Sequence, residues 1–129
     1  MPITYDLDSD ACSILTRCAG TITYDEVVGH FRELVAVPGL PAKLDVLLDL
    51  REMESLPESG QMRGVATEIE QLRARVELDA FAIVTDRDAL YGMVRMFQVF
   101  AEGFVSELKV FRDYEAASRW LAEIRSARR

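Results

Sequence analysis

The alternation of apolar and polar residues predicts five strands along the chain. Residues 3–8 alternate strictly between the two classes, which is typical of a strand with one buried face. A second strand, residues 12–19, follows the turn-forming pair Ser9 and Asp10, so these two strands are expected to form a hairpin. The next two strands are nearly continuous apolar runs, which indicates burial on both faces, as in parallel sheets. These later strands are predicted over residues 44–50 and 81–85, and the last one over residues 107–111.

Four segments have apolar residues at helical spacing and are predicted to be helices. The first follows Thr23, which forms a capping box with Glu26, and it stops before Pro38. The second helix has two alternative N-caps, Ser55 and Ser59. The remaining boundaries are residues 59–76 for the second helix, residues 88–103 for the third with Asp86 or Asp88 as its cap, and a start at Asp113 for the fourth.

The resulting order of elements, β-β-α-β-α-β-α-β-α, predicts an α/β fold. Strands separated by helices require right-handed crossovers and give a largely parallel sheet, to which the initial hairpin adds one antiparallel edge strand. We therefore expect a single mixed, mostly parallel sheet of about five strands. The chain of 129 residues is predicted to form one domain, residues 1–129, because it is too short for two of ordinary size.

The acidic balance of the chain narrows the choice of partners. Its net charge is −7 and its isoelectric point is near 4.7, so it repels phosphate backbones, and nucleic acid is not an expected partner. The one basic cluster is Arg125, Arg128 and Arg129, which we interpret as solubilising. No apolar run approaches the ~20 residues of a membrane span, and the N-terminus has no signal-peptide pattern, so a cytoplasmic location is predicted.

Few residues are candidates for catalysis. Cys12 and Cys18 lie about 20 Å apart in one predicted strand, so we expect unpaired, buried or half-buried thiols on the same face. His30 is interpreted as a surface residue beside the apolar stripe of the first helix. Asp49 and Asp86 each end a predicted central strand, where they either hold Mg²⁺ or a polar ligand or bond to loop amides, the interpretation we favour. No catalytic set, metal site or cofactor fingerprint is recognised, so neither an enzyme nor a cofactor is expected.

The third predicted helix is apolar nearly all round. Between Leu90 and Gly103 its only charged residues are Arg95 and Glu102. A helix of this kind is buried on two sides, whether inside the monomer, at a dimer interface or against an apolar ligand. The residues predicted to form a ligand or dimer surface are Tyr91, Met93, Met96, Phe97, Phe100 and Phe104.

The loop after the third strand carries a motif that resembles a known family. The run from Asp49 to Gly60 is similar to the pattern of STAS domains in anti-sigma-factor antagonists, in which a strand ending in Asp-Leu is followed by Asp-Ser-Ser-Gly at a helix start. The order of elements fits the same fold across essentially the whole chain. The later segment from Tyr91 to Leu121 resembles a stand-alone SpoIIAA-like branch, which is related in shape to lipid-binding Sec14-type domains.

The resemblance implies a regulatory domain whose partner site includes Ser59, Glu58, Gly60 and Asp49. In the switch members of the family a partner kinase phosphorylates the serine that corresponds to Ser59, and a phosphate there would meet the free amides of a helix N-terminus. Here Pro57 and Glu58 replace the acidic residue and the first serine of the motif, which argues against recognition by such a kinase. The alternative is that Ser59 is an ordinary residue at a helix start.

Two functions are left open by the sequence. The first is a non-catalytic regulatory domain that binds a protein partner or a second copy of itself, a homodimer being expected. The second is a carrier or sensor of an apolar, lipid-like small molecule held near the third helix, where methionine side chains adapt to irregular ligands.

Overall fold

The computed structural model describes residues 2–127, apart from the side chain of Ser59. Five strands and four helices follow one another in the predicted order. The strands are β1 (Ile3–Asp8), β2 (Ser13–Gly20), β3 (Lys43–Met53), β4 (Glu77–Val84) and β5 (Glu107–Phe111). The helices are α1 (Tyr24–Val35), α2 (Ser59–Leu72), α3 (Asp88–Ala101) and α4 (Tyr114–Ala127).

The five strands form one sheet in the order β1-β2-β3-β4-β5. β1 pairs antiparallel with β2, whereas the pairs β2–β3, β3–β4 and β4–β5 are parallel. The predicted α/β fold, with a single mixed and mostly parallel sheet, is therefore confirmed. Because the strand order follows the chain, right-handed crossovers place α1, α2 and α3 on the same face of the sheet.

The helices form two unequal layers around this sheet. On one face the main core joins the sheet to Leu34 of α1, Ile69 of α2 and Leu90 of α3. On the other face α4 packs against the sheet, through a smaller cluster that includes Ala117 and Val84. The larger layer consists of three helices packed on one face of the sheet. The internal cavity lies in this layer.

Several boundaries differ from the predicted ones. β3 continues to Met53 instead of ending at Leu50, because its last residues pair with the end of β2. β4 begins at Glu77, before its predicted start, because it pairs with the first residues of β3. The helix that precedes β4 accordingly ends at Leu72, and α3 ends at Ala101.

The N-caps of α2 and α3 are neighbours of the predicted residues. Glu58 is the N-cap of α2, and its backbone N–H donates to Oε1 of Gln61 at 2.8 Å. The hydroxyl of Ser55 instead accepts from the backbone N–H of Ile22 at 2.9 Å and donates to its carbonyl at 3.2 Å. Ser55 thus ties the β3–α2 loop to the β2–α1 loop. Arg87 is the N-cap of α3.

The two cysteines do not share a strand. Cys12 precedes β2, is exposed and has a φ of 54°, a left-handed conformation that few residues other than glycine adopt. It lies in the β1–β2 turn, in which the Asp8 carboxylate accepts a hydrogen bond from the Ala11 amide at 3.0 Å. Cys18 is buried within β2. The prediction of two buried or half-buried thiols on one strand face is wrong, because the turn includes Cys12.

Candidate functional site

A cavity of about 390 Å³ lies between the sheet and helices α1 and α2. Ile14 of β2 and Val46 of β3 belong to its floor, and Val27 of α1 and Val65 of α2 line the helical side. Apolar residues of β4 and α3, among them Phe97, close its inner end. This volume falls within the range of small-molecule sites, which are mainly apolar and contain few polar groups.

The cavity wall is formed by one face of strand β2 and the face of helix α1 that is turned towards it. Even-numbered residues of β2 point to one side of the sheet, and residues of α1 three or four apart share one face of the helix. Several apolar residues that line the cavity from α1, β3 and α2 are only half-buried, including Val27, Phe31, Leu48 and Val65. The α1 and α2 layer therefore leaves apolar surface that no other side chain covers completely.

The exposed residues of the cavity lining lie at the start of α1 and in the loop that joins β3 to α2, so we place the mouth of the cavity between them. Thr23, Leu56 and Glu58 line the cavity near this opening, and Leu56 is 48 % exposed. The loop is held in place on its inner side by the two hydrogen bonds of Ser55 to Ile22. Leu56 therefore presents apolar surface to solvent beside the mouth.

Several polar side chains belong to the wall on the β2 and α1 side, among them those of Thr16, Cys18 and His30. Burial, and to a smaller degree the charge of Asp49, raises the pKa of the Cys18 thiol to about 12, so the thiol is protonated. Burial also lowers the pKa of His30, although the charge of Glu33 opposes this shift. All three side chains are therefore uncharged at neutral pH.

The sequence profile of the SpoIIAA-like family matches residues 14–122, which run from β2 into α4. The chain belongs to the SpoIIAA-like family. The matched region contains every residue that lines the cavity except Ile3. No curated protein matches the chain. The family match confirms the resemblance inferred from the loop motif and from the order of elements.

The residues of that motif lie in two separate places in the SpoIIAA-like domain. Glu58 and Gly60 lie at the start of α2, and Glu58 also belongs to the cavity mouth. Ser59 is the first residue of α2, and its side chain lies outside the described part of the structure. Asp49 is buried within β3 instead of ending it, and it lies on the sheet face that α4 covers. Asp49 therefore does not contribute to the surface around Ser59.

Asp49 takes part in an ion-pair cluster between β3 and α4. Its two carboxylate oxygens accept from Nε and Nη2 of Arg51, each at 2.9 Å, and Nε of Arg17 lies 3.8 Å away. The Arg51 guanidinium packs on the ring of Tyr114, 4.5 Å from its centre. Burial opposes ionisation of Asp49, but the hydrogen bonds from Arg51 and the charges of both arginines outweigh it and lower the pKa of Asp49. The arrangement stabilises the contact between β3 and α4.

Asp49→Asn should make the stability of the protein less dependent on acidic pH. The folded pKa of Asp49 lies below its unfolded value, so the ionised carboxylate stabilises the fold above about pH 4, and this contribution is lost as the pH falls towards the folded pKa. We expect the variant to be less stable than the wild type by about 1 kcal/mol at pH 7, and the difference to shrink below pH 4, in urea unfolding followed by circular dichroism. Asp6→Asn, at an exposed carboxylate of β1, is the control. A difference that stays constant down to about pH 2.5 would contradict this assignment.

The apolar helix α3 is largely covered within the monomer. Phe97 is buried and reaches the inner end of the cavity. The guanidinium of Arg112 lies 4.3 Å from the ring centre of Tyr91, and that of Arg63 lies 5.0 Å from the ring centre of Phe100. Stacking of this kind contributes roughly 0.5–1 kcal/mol at a partly exposed site, and it covers the apolar ring faces.

The remaining predicted residues of this helix differ in their exposure. Met93 is half-buried, and Phe104 is half-buried with Arg73 5.8 Å from its ring centre. Met96 is 37 % exposed and is the one exposed member of the six predicted surface residues. Val99, which is not among the six, is 69 % exposed. Of the six predicted residues, Phe97 lines the cavity and Met96 is exposed; together with Val99, Met96 forms a small outer patch on α3.

The prediction that His30 is a surface residue is wrong. The ring is half-buried and lines the cavity, and its centre lies 5.5 Å from the ring centres of Tyr5 and Phe31. The sequence reasoning also missed Thr16 as a site residue. The one signal that could have found it was its even-numbered position in β2, between Ile14 and Cys18, since residues two apart share a strand face.

The sequence leaves Asp49 and Asp86 either as ligands of Mg²⁺ or as partners of loop amides. Among the residues that the structure describes, no group of three histidine, cysteine, aspartate or glutamate side chains is placed to hold a metal ion. The positive charge that acts on both Asp49 and Asp86 is that of Arg51. Within residues 2–127, no helix is long and apolar enough to cross a membrane.

Gly64 of α2 permits a close approach of Tyr24 from α1. A Cβ atom built at Gly64 would overlap with the Tyr24 hydroxyl and would lie 2.8 Å from its Cζ atom. Tyr24 also lines the cavity, so the two helices contact each other beside the mouth. A larger residue at position 64 must displace the tyrosine ring.

Gly64→Ala should lower the free energy of unfolding by about 1 kcal/mol. Displacement of the Tyr24 ring is expected to outweigh the gain of about 1 kcal/mol that alanine brings to a helix interior. Gly92→Ala is the matched control. Gly92 lies in α3, and a Cβ atom built there has no neighbour within 4 Å, so this change should raise the free energy of unfolding by about 1 kcal/mol. Urea unfolding of both variants checks this. Equal stabilisation by the two changes would show that the Tyr24 contact is of no consequence.

Proposed function

We propose that this SpoIIAA-like chain is a non-catalytic regulatory domain that binds an apolar small molecule between its sheet and helices α1 and α2. The observation that carries the proposal is the cavity of about 390 Å³, whose wall is mostly aliphatic and aromatic. Removing apolar surface from water contributes roughly 25 cal/mol per Å², so even a small hydrocarbon body gains several kcal/mol in such a site.

The energetic cost of unfilled apolar space supports the binding of a ligand in the cavity. Protein interiors are packed as densely as organic crystals, and empty apolar space destabilises a fold because its lining atoms lose their contacts. A ligand that fills the cavity restores these contacts. The ligand lies mainly beneath α1 and α2, and α3 contributes only the inner wall through Leu90, Val94 and Phe97.

The position of the mouth supports a regulatory role. Leu56 and Glu58 line the entrance just before Ser59, the position that corresponds to the phosphorylated serine of switch members of the family. A ligand at the entrance contacts the loop that a partner would recognise. Phosphorylation of Ser59 itself stays a prediction.

Ligand binding is tested with protein purified without detergent. N-phenyl-1-naphthylamine, an uncharged apolar fluorophore, should bind at one saturable site with a dissociation constant in the micromolar range, and organic extracts should contain a co-purifying apolar compound when analysed by mass spectrometry. Heat-unfolded protein and buffer alone are the controls, and neither should give a saturable signal. Non-saturable fluorescence together with a clean extract would overturn the proposal.

A second candidate function is self-association through α3. The observation that favours it is the exposure of Met96 and Val99 on the outer side of this helix, at 37 % and 69 %. The patch contains two side chains, so it is small compared with ordinary dimer interfaces, and the self-association it supports is weak.

If the protein self-associates through Met96 and Val99, Val99→Glu should shift it to monomers in sedimentation velocity. We choose Val99 and not the neighbouring Phe100, because the half-buried Phe100 ring contacts Arg63 and its replacement would disturb the fold. Gln71→Glu, an exposed position of α2, introduces the same charge elsewhere and is the control. A sedimentation coefficient that does not change with protein concentration, in the wild type as in the variant, would count against self-association through α3.

A further inference from the structure

The charges around the cavity are the first indication of what it accepts. Among the described residues that line it, none is a lysine or an arginine, and Glu58 at the mouth carries a negative charge at neutral pH. The whole chain has a net charge of −7. A carboxylate or phosphate that entered this space would find no cationic partner in the wall.

The polar groups of the wall are the second indication. Thr16 is 4 % exposed and lines the cavity, and no hydrogen bond from another described residue reaches its hydroxyl. His30 lines the same side from α1. Thr16 is the register partner of Tyr5, whose ring lies against that of His30. Both a hydroxyl and a neutral imidazole can donate and accept a hydrogen bond, so this part of the wall suits an uncharged polar group.

The opposite end of the cavity has a different character. Its lining there comes from β4 and from the inner sides of α2 and α3, through residues such as Ile69, Phe81 and Val94. These side chains are buried and apolar. The cavity is thus two-ended, with a few uncharged polar groups beneath α1 and a purely apolar region towards α3.

We propose that the cavity selects uncharged amphipathic molecules, with an apolar body towards α3 and a single hydroxyl, carbonyl or ester group against Thr16 and His30. This inference rests on the proposed function and specifies its ligand class. It distinguishes long-chain alcohols, ketones and esters from fatty-acid anions of the same length.

Both the ligand and the protein contribute to this preference for uncharged molecules. Burying an ionised carboxylate without a counter-charge costs far more than burying a hydroxyl that gains a hydrogen bond. A ligand hydroxyl placed against Thr16 can exchange a hydrogen bond with a side chain that faces the cavity, and this bond partly offsets the cost of removing the ligand hydroxyl from water. The imidazole of His30 gives no compensating positive charge, because burial lowers its pKa.

Competition with the fluorophore tests the ligand class. At neutral pH, 1-decanol should displace N-phenyl-1-naphthylamine from the wild-type protein at a concentration at least about tenfold lower than decanoate, both being used below their aggregation limits. Equal or stronger competition by decanoate would overturn the inference and leave apolar binding intact. If the fluorophore shows no saturable binding and the organic extract is clean, the proposed function fails, and the inference fails with it.

Thr16→Val tests the position of the polar group. The change keeps the shape and removes the hydroxyl, so the affinity for 1-decanol should fall about fivefold, with little change in the affinity for the fluorophore, which does not carry a hydroxyl. Thr4→Val, at an exposed position of β1, makes the same substitution away from the cavity and should change neither affinity. Identical 1-decanol affinities for the two variants would overturn the assignment of Thr16.

Discussion

Replacing Asp45 with alanine should lower the free energy of unfolding by about 3 kcal/mol, the largest loss of stability that we expect from any of the proposed substitutions. Asp45 lies in β3 and is 4 % exposed. Its Oδ1 atom accepts a hydrogen bond from the backbone N–H of Ala80 at 3.1 Å, at the point where the register between β3 and β4 shifts. The carboxylate thus satisfies a buried amide that the ladder of strand hydrogen bonds does not reach.

The same carboxylate holds the last helix onto the sheet. Nε of Arg125 in α4 lies 3.5 Å from Oδ2 of Asp45, and Nη2 of Arg125 donates to the Ala11 carbonyl at 3.1 Å. Without Asp45 the buried Ala80 amide loses its partner, which is a desolvation cost, whereas Arg125, whose side chain is 35 % exposed, keeps its hydrogen bond to the Ala11 carbonyl. The effect should therefore exceed that of an exposed ion pair.

A graded series of variants separates the two roles of Asp45. Asp45→Asn keeps an acceptor for Ala80 but removes the charge that faces Arg125, so it should cost only about 1 kcal/mol. Asp6→Ala, at an exposed carboxylate of β1, should be nearly neutral. Urea unfolding at neutral pH measures all three, and the alanine variant should also melt about 10 °C lower. Equal losses for the alanine and asparagine variants would show that the charge, not the Ala80 hydrogen bond, provides the stability.

The fold was predictable because its local signals agree with one another. The Thr23 capping box is present in the structure as expected, with the Glu26 amide donating to the Thr23 hydroxyl at 3.2 Å and the Thr23 amide donating to Glu26 at 3.0 Å. The apolar run of β3 is covered on both faces, as its sequence indicates. The strand order follows from right-handed crossovers between successive parallel strands. Local propensity, capping and topology all favour the same arrangement.

The predictions are wrong where a long-range contact outweighs a local pattern. Ser55 has a capping-box pattern with Glu58, yet its hydroxyl bonds to Ile22, 33 positions away in the chain. Asp49 precedes a motif that marks a loop, yet β3 continues past it because β2 still offers backbone partners. Such contacts depend on which loops meet in space, and no window of sequence contains both partners.

The cavity could not be predicted for a related reason. Val27, Phe31 and Val65 have the spacing of ordinary core residues, and a helical stripe that packs tightly has the same pattern as one that leaves a space. The surface predicted on α3 is smaller than expected because two of its aromatic rings are covered by arginines from α2 and from the segment after β5. A charged residue and its partner ring are distant in sequence, so their contact is visible only in the fold.

Val27→Trp should abolish most ligand binding without unfolding the protein. Val27 lines the cavity from α1 and is half-buried, so an indole at this position can extend into space that no side chain occupies. Filling existing space buries apolar area without displacing packed neighbours, which distinguishes it from overpacking a dense core. We expect the affinity for N-phenyl-1-naphthylamine to fall at least about tenfold while the free energy of unfolding stays within about 1 kcal/mol of the wild type.

Val28→Trp is the matched control for this change. Val28 is the next residue of α1, is also half-buried and does not line the cavity, so the two variants have the same composition and nearly the same helix propensity. Only the Val27 variant should lose affinity, and its added indole should emit at shorter wavelength because the cavity wall around it is mostly apolar. An unchanged affinity in a folded Val27 variant would place the fluorophore elsewhere on the protein. Loss of affinity in both variants would instead indicate that the position of α1, and not the volume beneath it, controls binding.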